Sequence, residues 1–493
     1  MSFKTNKLDY EHKFFYIFLL IHLVVWSCIG LIRTVLPTDA LEGIYWGGLH
    51  DFGTPKHPPL SGWIAYWIYS VFKTDFSIYL VSQAFIVTGF IYIYKLAKLF
   101  LDANRALLSV IVLEGCWVYT YITGYYGFNP DVILLGLLPA ITYFYYKSVN
   151  ENKLLSWLIM GVLVGISFLN KYQTVLILIP MFIWAIMFKR EVFKSINFYL
   201  SVLIAFVIFL PHILWMINYD FFPLLYFEGE FEDDRFIKHI IAPLQFFVVQ
   251  ISLVIGSFIL FVLLKLKQKS EFIFNNGIEK SKALFLLLFA FTPLVIHMIM
   301  GICGGGTMRP RWGFVFAYLF GIMLFYFIKT KDVSSEDFKF VLKSSYVVML
   351  ITFLALGSLL AFEKNYRSRY PVSTIYNDMS KIWQDEFNTP LKYFGGYIEW
   401  TLPLTIYGKN HQDIILDTHG YPSPWLDEQD IKKSGIIIID RGIEELFLDA
   451  RQACPYLPIN YLIQPRPYSF EVKNAFNMPR TYQIFYAIIP PME

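Results

Sequence analysis

Apolar positions along this chain fall in long unbroken blocks, separated by short polar segments rich in turn-forming residues. A helix needs about 20 apolar residues to cross roughly 30 Å of hydrocarbon. Blocks suited to this lie near 14–32, 77–101, 106–122, 132–146, 154–170, 172–188, 196–216, 243–264, 283–302, 312–328 and 341–362. They lack the two-residue alternation of outer-membrane strands, so the pattern predicts about eleven transmembrane helices. The stretch 60–73 is too short to span and reads as a helix lying at the interface. The first block follows a lysine-bearing start, as a signal peptide would. Its apolar run is longer than a typical signal core, and no A-x-A site follows, so it reads as a retained anchor.

Beyond residue 362 the pattern changes. Polar residues recur regularly, Tyr421, Pro422, Ser423, Pro424 and Trp425 signal turns, and Gly435 to Asp440 encloses four isoleucines in a strand-like run. This predicts a small α/β domain over 363–493, large enough at about 130 residues for its own core, after a transmembrane domain over 1–362. Composition agrees. Of 493 residues 56% are hydrophobic and only 16% charged, against about 25% charged in soluble domains. The net charge of +3 gives no sign of nucleic-acid binding, because the lysines sit between apolar blocks. Cys28, Cys116, Cys303 and Cys454 have no metal-site or disulfide spacing.

Basic residues set the expected orientation. With Lys4, Lys7 and Lys13 in the cytoplasm, Arg105, Lys147, Lys189, Arg190, Lys194, Lys265, Lys267, Lys329 and Lys331 all fall inside. The opposite loops are poor in base, and one carries Glu228, Glu230, Glu232, Asp233 and Asp234. An odd number of spans then puts 363–493 outside. Bacterial inner-membrane placement with a periplasmic C-terminal domain is the expectation.

The same topology gathers the unusual polar residues on the outer face. The first external loop holds Asp39 and Glu42, then Lys56, His57, Pro58, Pro59 and Leu60; the second holds Asn129, Pro130 and Asp131. Lys171 and Tyr172 lie where two spans meet, His212, Trp215 and Asn218 share one helical face, and Arg309 and Arg311 lie in the last short loop. Each has a plain alternative. Asp39 and Glu42 could be solvated loop carboxylates, Asp131 the N-cap of the fourth span, and Lys56, Arg309 and Arg311 anchors snorkelling to lipid phosphates. His212 and His297 could be hydrogen-bonded core histidines. Lys171 could mark a tight hairpin, although an ionisable residue interrupting the apolar stretch 154–188 points to function.

Taken in order, Asp39-Ala-Leu-Glu42, Lys56-His57-Pro58-Pro59-Leu60, Phe128-Asn129-Pro130-Asp131, Lys171-Tyr172 and Arg309-Pro-Arg311-Trp312 resemble glycosyltransferase family 39 of the GT-C fold. These are bacterial relatives of protein O-mannosyltransferase and aminoarabinose transferase. Tyr393 to Gly396 and Ser423 to Asp427 look like that family's small C-terminal domain. The resemblance implies transfer of a monosaccharide from polyprenyl (undecaprenyl) phosphate to an extracytoplasmic acceptor, lipid A or another envelope glycan, with inversion. It makes Asp39 the general base. The cations Lys56, His57, Lys171, Arg309 and Arg311 then face the lipid phosphate, and Glu42, Asn129, Asp131 and Tyr172 serve the substrates. Lipid A-modifying members have an acidic residue before the lysine of this motif, and that residue helps hold a metal. Here the pair is Lys56-His57, so no cofactor is assigned and a divalent metal stays open.

A transporter or flippase of a lipid-linked sugar is the rival class. Transporters place ionisable groups near the midplane and show internal repeats. This chain shows no repeat, and its charges lie at the outer interface. A purely structural assembly protein would leave the clustered acids and bases without a role.

Overall fold

The structure is a computed structural model that describes residues 7–224, 235–304, 308–408, 413–417 and 427–492. The acidic loop 228–234 and the turn 421–425 lie outside the described residues, as do 305–307 of the last short loop. The helices used below are α1 (Lys7–Ser27), α2 (Thr38–Gly48), α3 (Leu60–Phe72), α4 (Asp75–Ala97), α5 (Ala103–Ile111), α6 (Pro130–Glu151), α7 (Leu154–Phe168), α8 (Val175–Phe188), α9 (Ile196–Asn218), α10 (Phe236–Lys267), α11 (Lys280–Gly304), α12 (Ser335–Phe362) and α13 (Ile398–Tyr407).

The apolar blocks are helical, as their lack of alternation requires. Among the described residues seven helices are long and apolar enough to cross a membrane, or eight if one bent pair counts as a single span. Three expected spans are shorter apolar helices: Leu154–Phe168, Tyr172–Phe188 and Ala317–Phe327. The bent pair, Ala103–Gly115 with Val118–Tyr126, turns by 61°. Its cause is local. Gly115 lies directly against Gly256 of α10, where a Cβ would come within 2.3 Å of the Gly256 carbonyl carbon. The Trp117 N–H then leaves its own helix and donates to the Leu253 carbonyl at 3.0 Å. Glu114 at the break is fully buried and bonded by His22 at 2.7 Å and Trp26 at 3.0 Å. Burying that carboxylate without these partners would be costly.

The chain forms two compact units. The first contains Met1–Gly30, Asp51–Ser61 and Phe72–Leu356, the helical bulk of the protein. In it α7 packs on α9, α4 on α6, and α8 on α11.

The second contains Leu31–His50, Gly62–Val71 and Gly357–Glu493. Its centre is a five-stranded sheet in the order β2-β1-β3-β5-β4, built from β1 (Tyr393–Tyr397), β2 (Asp413–Asp417), β3 (Ile436–Asp440), β4 (Arg466–Lys473) and β5 (Pro479–Ile489). β2, β1 and β3 are parallel, and β5 and β4 are antiparallel. β3 is buried along its whole length, which explains its run of four isoleucines. Residues 31–50, far from this sheet in sequence, join this unit. The Thr34 N–H donates to the Ser368 carbonyl at 3.1 Å, the Tyr407 hydroxyl accepts from the Leu36 N–H at 3.0 Å, and α2 packs on α13. Gly47 of α2 lies so near α3 that a Cβ would meet the Gly62 carbonyl oxygen at 2.0 Å.

Candidate active site

Pro130 opens α6, where its missing N–H costs nothing. The Asn129 side chain accepts from the Asp131 and Val132 N–H groups at 2.9 and 3.2 Å. Asn129 is therefore the N-cap, and Asp131 is not. This leaves the Asp131 carboxylate to pair with the Lys171 ammonium, with side chains only 11% and 13% exposed. The Asn170 amide donates to the Pro130 carbonyl at 2.8 Å, so the α7–α8 hairpin is fastened to the start of α6 twice. The hairpin is closed by Lys171 N–H to Ser167 carbonyl at 3.0 Å and a Ser167–Thr174 hydroxyl contact of 2.8 Å.

Tyr172 carries the contact onward to α9. Its hydroxyl lies 2.7 Å from His212 Nε2, and His212 Nδ1 lies 2.6 Å from the Phe52 carbonyl. A carbonyl only accepts, so Nδ1 bears the proton, Nε2 accepts, and Tyr172 donates. The loop held in this way packs Gly53 on Trp215, where a Cβ would touch the indole at 2.1 Å. It then turns at Thr54, whose hydroxyl donates to the His57 carbonyl at 2.8 Å and accepts the His57 N–H at 2.9 Å. Lys56 and His57 stand half-buried on this turn, and beyond Pro59 the Leu60 N–H returns to the Leu169 carbonyl at 2.9 Å.

A third arm comes from the last short loop. The Gln173 amide donates to the Trp312 carbonyl, and the Gln250 amide to the Pro310 carbonyl at 2.8 Å. Trp312 stacks on His297 with ring centres 6.1 Å apart, and the turn Arg311–Phe314 packs against α6. Arg309 and Arg311, both half-buried, flank this anchor.

The first unit thus joins Asn129, Asp131, Lys171 and Tyr172 directly, brings in Lys56 and His57 through His212, and brings in Arg309 and Arg311 through Gln173. Asp39 and Glu42 belong to the second unit. Asp39 lies half-buried in the first turn of α2, where the helix dipole favours a carboxylate, and Glu42 is buried one turn on. Sequence inspection did not single out Gln173, although it too is a polar residue in the same apolar stretch. It read His212 as sharing a helical face with Trp215 and Asn218, or as a hydrogen-bonded core histidine. Among the described residues no three His, Cys, Asp or Glu side chains gather as a metal site.

Residues 56–215 match the family described as dolichyl-phosphate-mannose-protein mannosyltransferase. No curated protein matches the chain. Among solved structures, the oligosaccharyltransferase of Archaeoglobus fulgidus in its apo form is similar at 10% identity and a TM-score of 0.46, covering 88% of this chain and 72% of that one. The same enzyme with an inhibitory peptide and a dolichol-phosphate is similar at 11% identity and a TM-score of 0.42, covering 90% and 72%.

Proposed function

We propose that this chain, a GT-C-type glycosyltransferase acting on lipid-linked sugars, transfers a monosaccharide from polyprenyl (undecaprenyl) phosphate to a hydroxyl of lipid A or another envelope glycan. The observation that carries this is the buried Lys171–Asp131 pair at a hairpin inside the matched stretch, with Tyr172 and the turns bearing Lys56 and Arg311 tied to it. The distribution of basic residues supports a bacterial inner-membrane protein whose Lys171 hairpin and residues 363–493 are extracytoplasmic.

The chemistry divides as follows. The acceptor oxygen attacks the anomeric carbon, its proton passes to Asp39, and the bond from that carbon to the phosphate oxygen breaks. Polyprenyl phosphate leaves with the electron pair. Negative charge grows on the phosphate as the bond breaks, and preplaced cations lower that barrier most. Lys171 is held in place for this by its ion pair with Asp131. Lys56, His57, Arg309 and Arg311 serve the same phosphate, and Glu42, Asn129 and Tyr172 hold sugar or support the cations. With the acidic residue of the metal-holding motif replaced by Lys56, cations of the chain take the charge-neutralising part.

The test is turnover by the purified full chain in lipid vesicles, given the polyprenyl-phosphate-sugar and glycolipid fractions of the parent cells. Mass spectrometry should show loss of donor, appearance of polyprenyl phosphate and a gain of one sugar on the acceptor. Donor moved unchanged across the bilayer would identify a flippase instead.

A further inference from the structure

In the first unit α7 and α9 pack closely. A Cβ on Gly161 would meet the Ser201 carbonyl oxygen at 2.5 Å, and one on Gly165 the Ala205 carbonyl oxygen at 3.0 Å. α8 packs on α11 instead. The space left between α8 and α9, with α7 behind it, is a cavity of ≈ 450 Å³. Ligand pockets usually hold about 300–1,000 Å³. Ala205 and Phe209 are half-buried on its wall, and Phe182, Val202 and Phe206 stand exposed at its rim, so it opens sideways towards lipid.

Among the described residues no charged side chain lines this cavity, and the Tyr145 hydroxyl on its wall already donates to the Met181 carbonyl at 2.6 Å. An apolar occupant suits such a lining. The two ends differ. At one end the Phe209 ring centre lies 5.3 Å from that of Phe168 and 5.3 Å from that of His212, and His212 bonds Tyr172 beside Lys171. Phe209 is thus the shared edge of the cavity and the cation cluster. At the other end Phe193, in the α8–α9 connection, meets Phe182 at 5.5 Å and Phe198 at 5.6 Å and closes the slot.

Depth narrows the choice of occupant. Fourteen residues of α9 separate His212 from Phe198, about 21 Å at about 1.5 Å per residue. A molecule with its head at the level of His212 must reach past the middle of a hydrocarbon layer about 30 Å thick to fill the slot. The acyl chains of one leaflet end near that middle. A long polyprenyl chain does not.

We infer that this slot seats the hydrocarbon chain of the polyprenyl-phosphate donor and selects it by length. The phosphate lies at Lys171, the first isoprene units pass Phe209, and the chain fills the slot down to Phe198. A chain that stops short loses that burial. This rests on the function proposed above, in which Lys171 faces the lipid phosphate.

The test uses the purified full chain in phosphatidylcholine nanodiscs, with binding read by native mass spectrometry. The probes are undecaprenyl phosphate, geranyl phosphate (the same head on a much shorter chain) and dioleoyl phosphatidic acid as an ordinary lipid phosphate. Undecaprenyl phosphate should bind at least about 10-fold tighter than either of the others. Ala205→Phe, which fills the slot, and Val202→Trp, at its exposed rim, should each weaken undecaprenyl phosphate by about 10-fold or more and leave geranyl phosphate unchanged. Val202→Trp carries the test if Ala205→Phe does not fold, and a melting temperature near that of the parent chain shows that the fold is kept. Geranyl phosphate or phosphatidic acid binding as tightly as undecaprenyl phosphate overturns the inference, as does unchanged undecaprenyl phosphate binding in the folded variants. Sugar transfer by the same preparation would then still stand. Slot-dependent binding by a chain that transfers no sugar supports the slot and contradicts the proposed reaction instead.

Discussion

At the scale of single residues, Lys171 shows what one sequence can and cannot disclose. A charge interrupting the stretch 154–188 was legible, because apolar blocks do not tolerate it without reason. Its partner was not. Asp131 lies 40 positions away, and only the cap made by Asn129 frees its carboxylate. The pairing changes what a substitution does. Lys171→Ala should abolish donor use and also leave Asp131 buried and unpaired, at a cost of about 3–5 kcal/mol. Lys171→Ala with Asp131→Asn should recover most of that stability and none of the activity. Thermal melting and donor turnover of the single and double variants check this. Recovery of turnover in the double variant would return Lys171 to a structural role.

At the scale of elements, strongly patterned segments were readable and their breaks were not. Four isoleucines between Gly435 and Asp440 announced a buried strand, and β3 is one. The 61° bend after Gly115 left no comparable mark, because its cause is Gly256, a residue on another helix. Gly256→Val should therefore cost about 1–3 kcal/mol by forcing the two backbones apart. A melting temperature equal to that of the parent would show that the contact can open without cost. In the second unit, Lys392 and Tyr393 at the start of β1 both bond Asp430. The Lys392 bond, followed by that of Tyr393, holds the Asp430 carboxyl below its ordinary range. A lowered carboxyl contributes stability above its unfolded-state value, and that contribution is lost as pH falls through its folded value. Asp430→Asn should lower the melting temperature of the full chain slightly at pH 7, since the group is largely exposed. The gap should narrow as the pH approaches 3. A gap independent of pH would mean the bond matters through geometry rather than charge.

At the scale of the whole molecule, the change of pattern at 362 marked a new kind of structure, yet the second unit also takes in 31–50 and 62–71. Nothing local could reveal this, because the joining bond, Thr34 to Ser368, spans 334 residues. The distribution of basic residues predicts sidedness directly. Single cysteines near 190, 270 and 335 should react only with cytoplasmic reagents, and those near 45, 127 and 400 only with external ones. Cytoplasmic labelling near 400 would separate the second unit from the face proposed for the chemistry. The central claim is sugar transfer with Asp39 as base, and its most direct measurement is the kcat of Asp39→Asn beside the parent chain. Asparagine keeps the size and hydrogen-bonding shape of the side chain but cannot take the proton. The account predicts a fall of about 10²–10⁴-fold in kcat with little change in donor KM. Turnover by Asp39→Asn near that of the parent chain would contradict it.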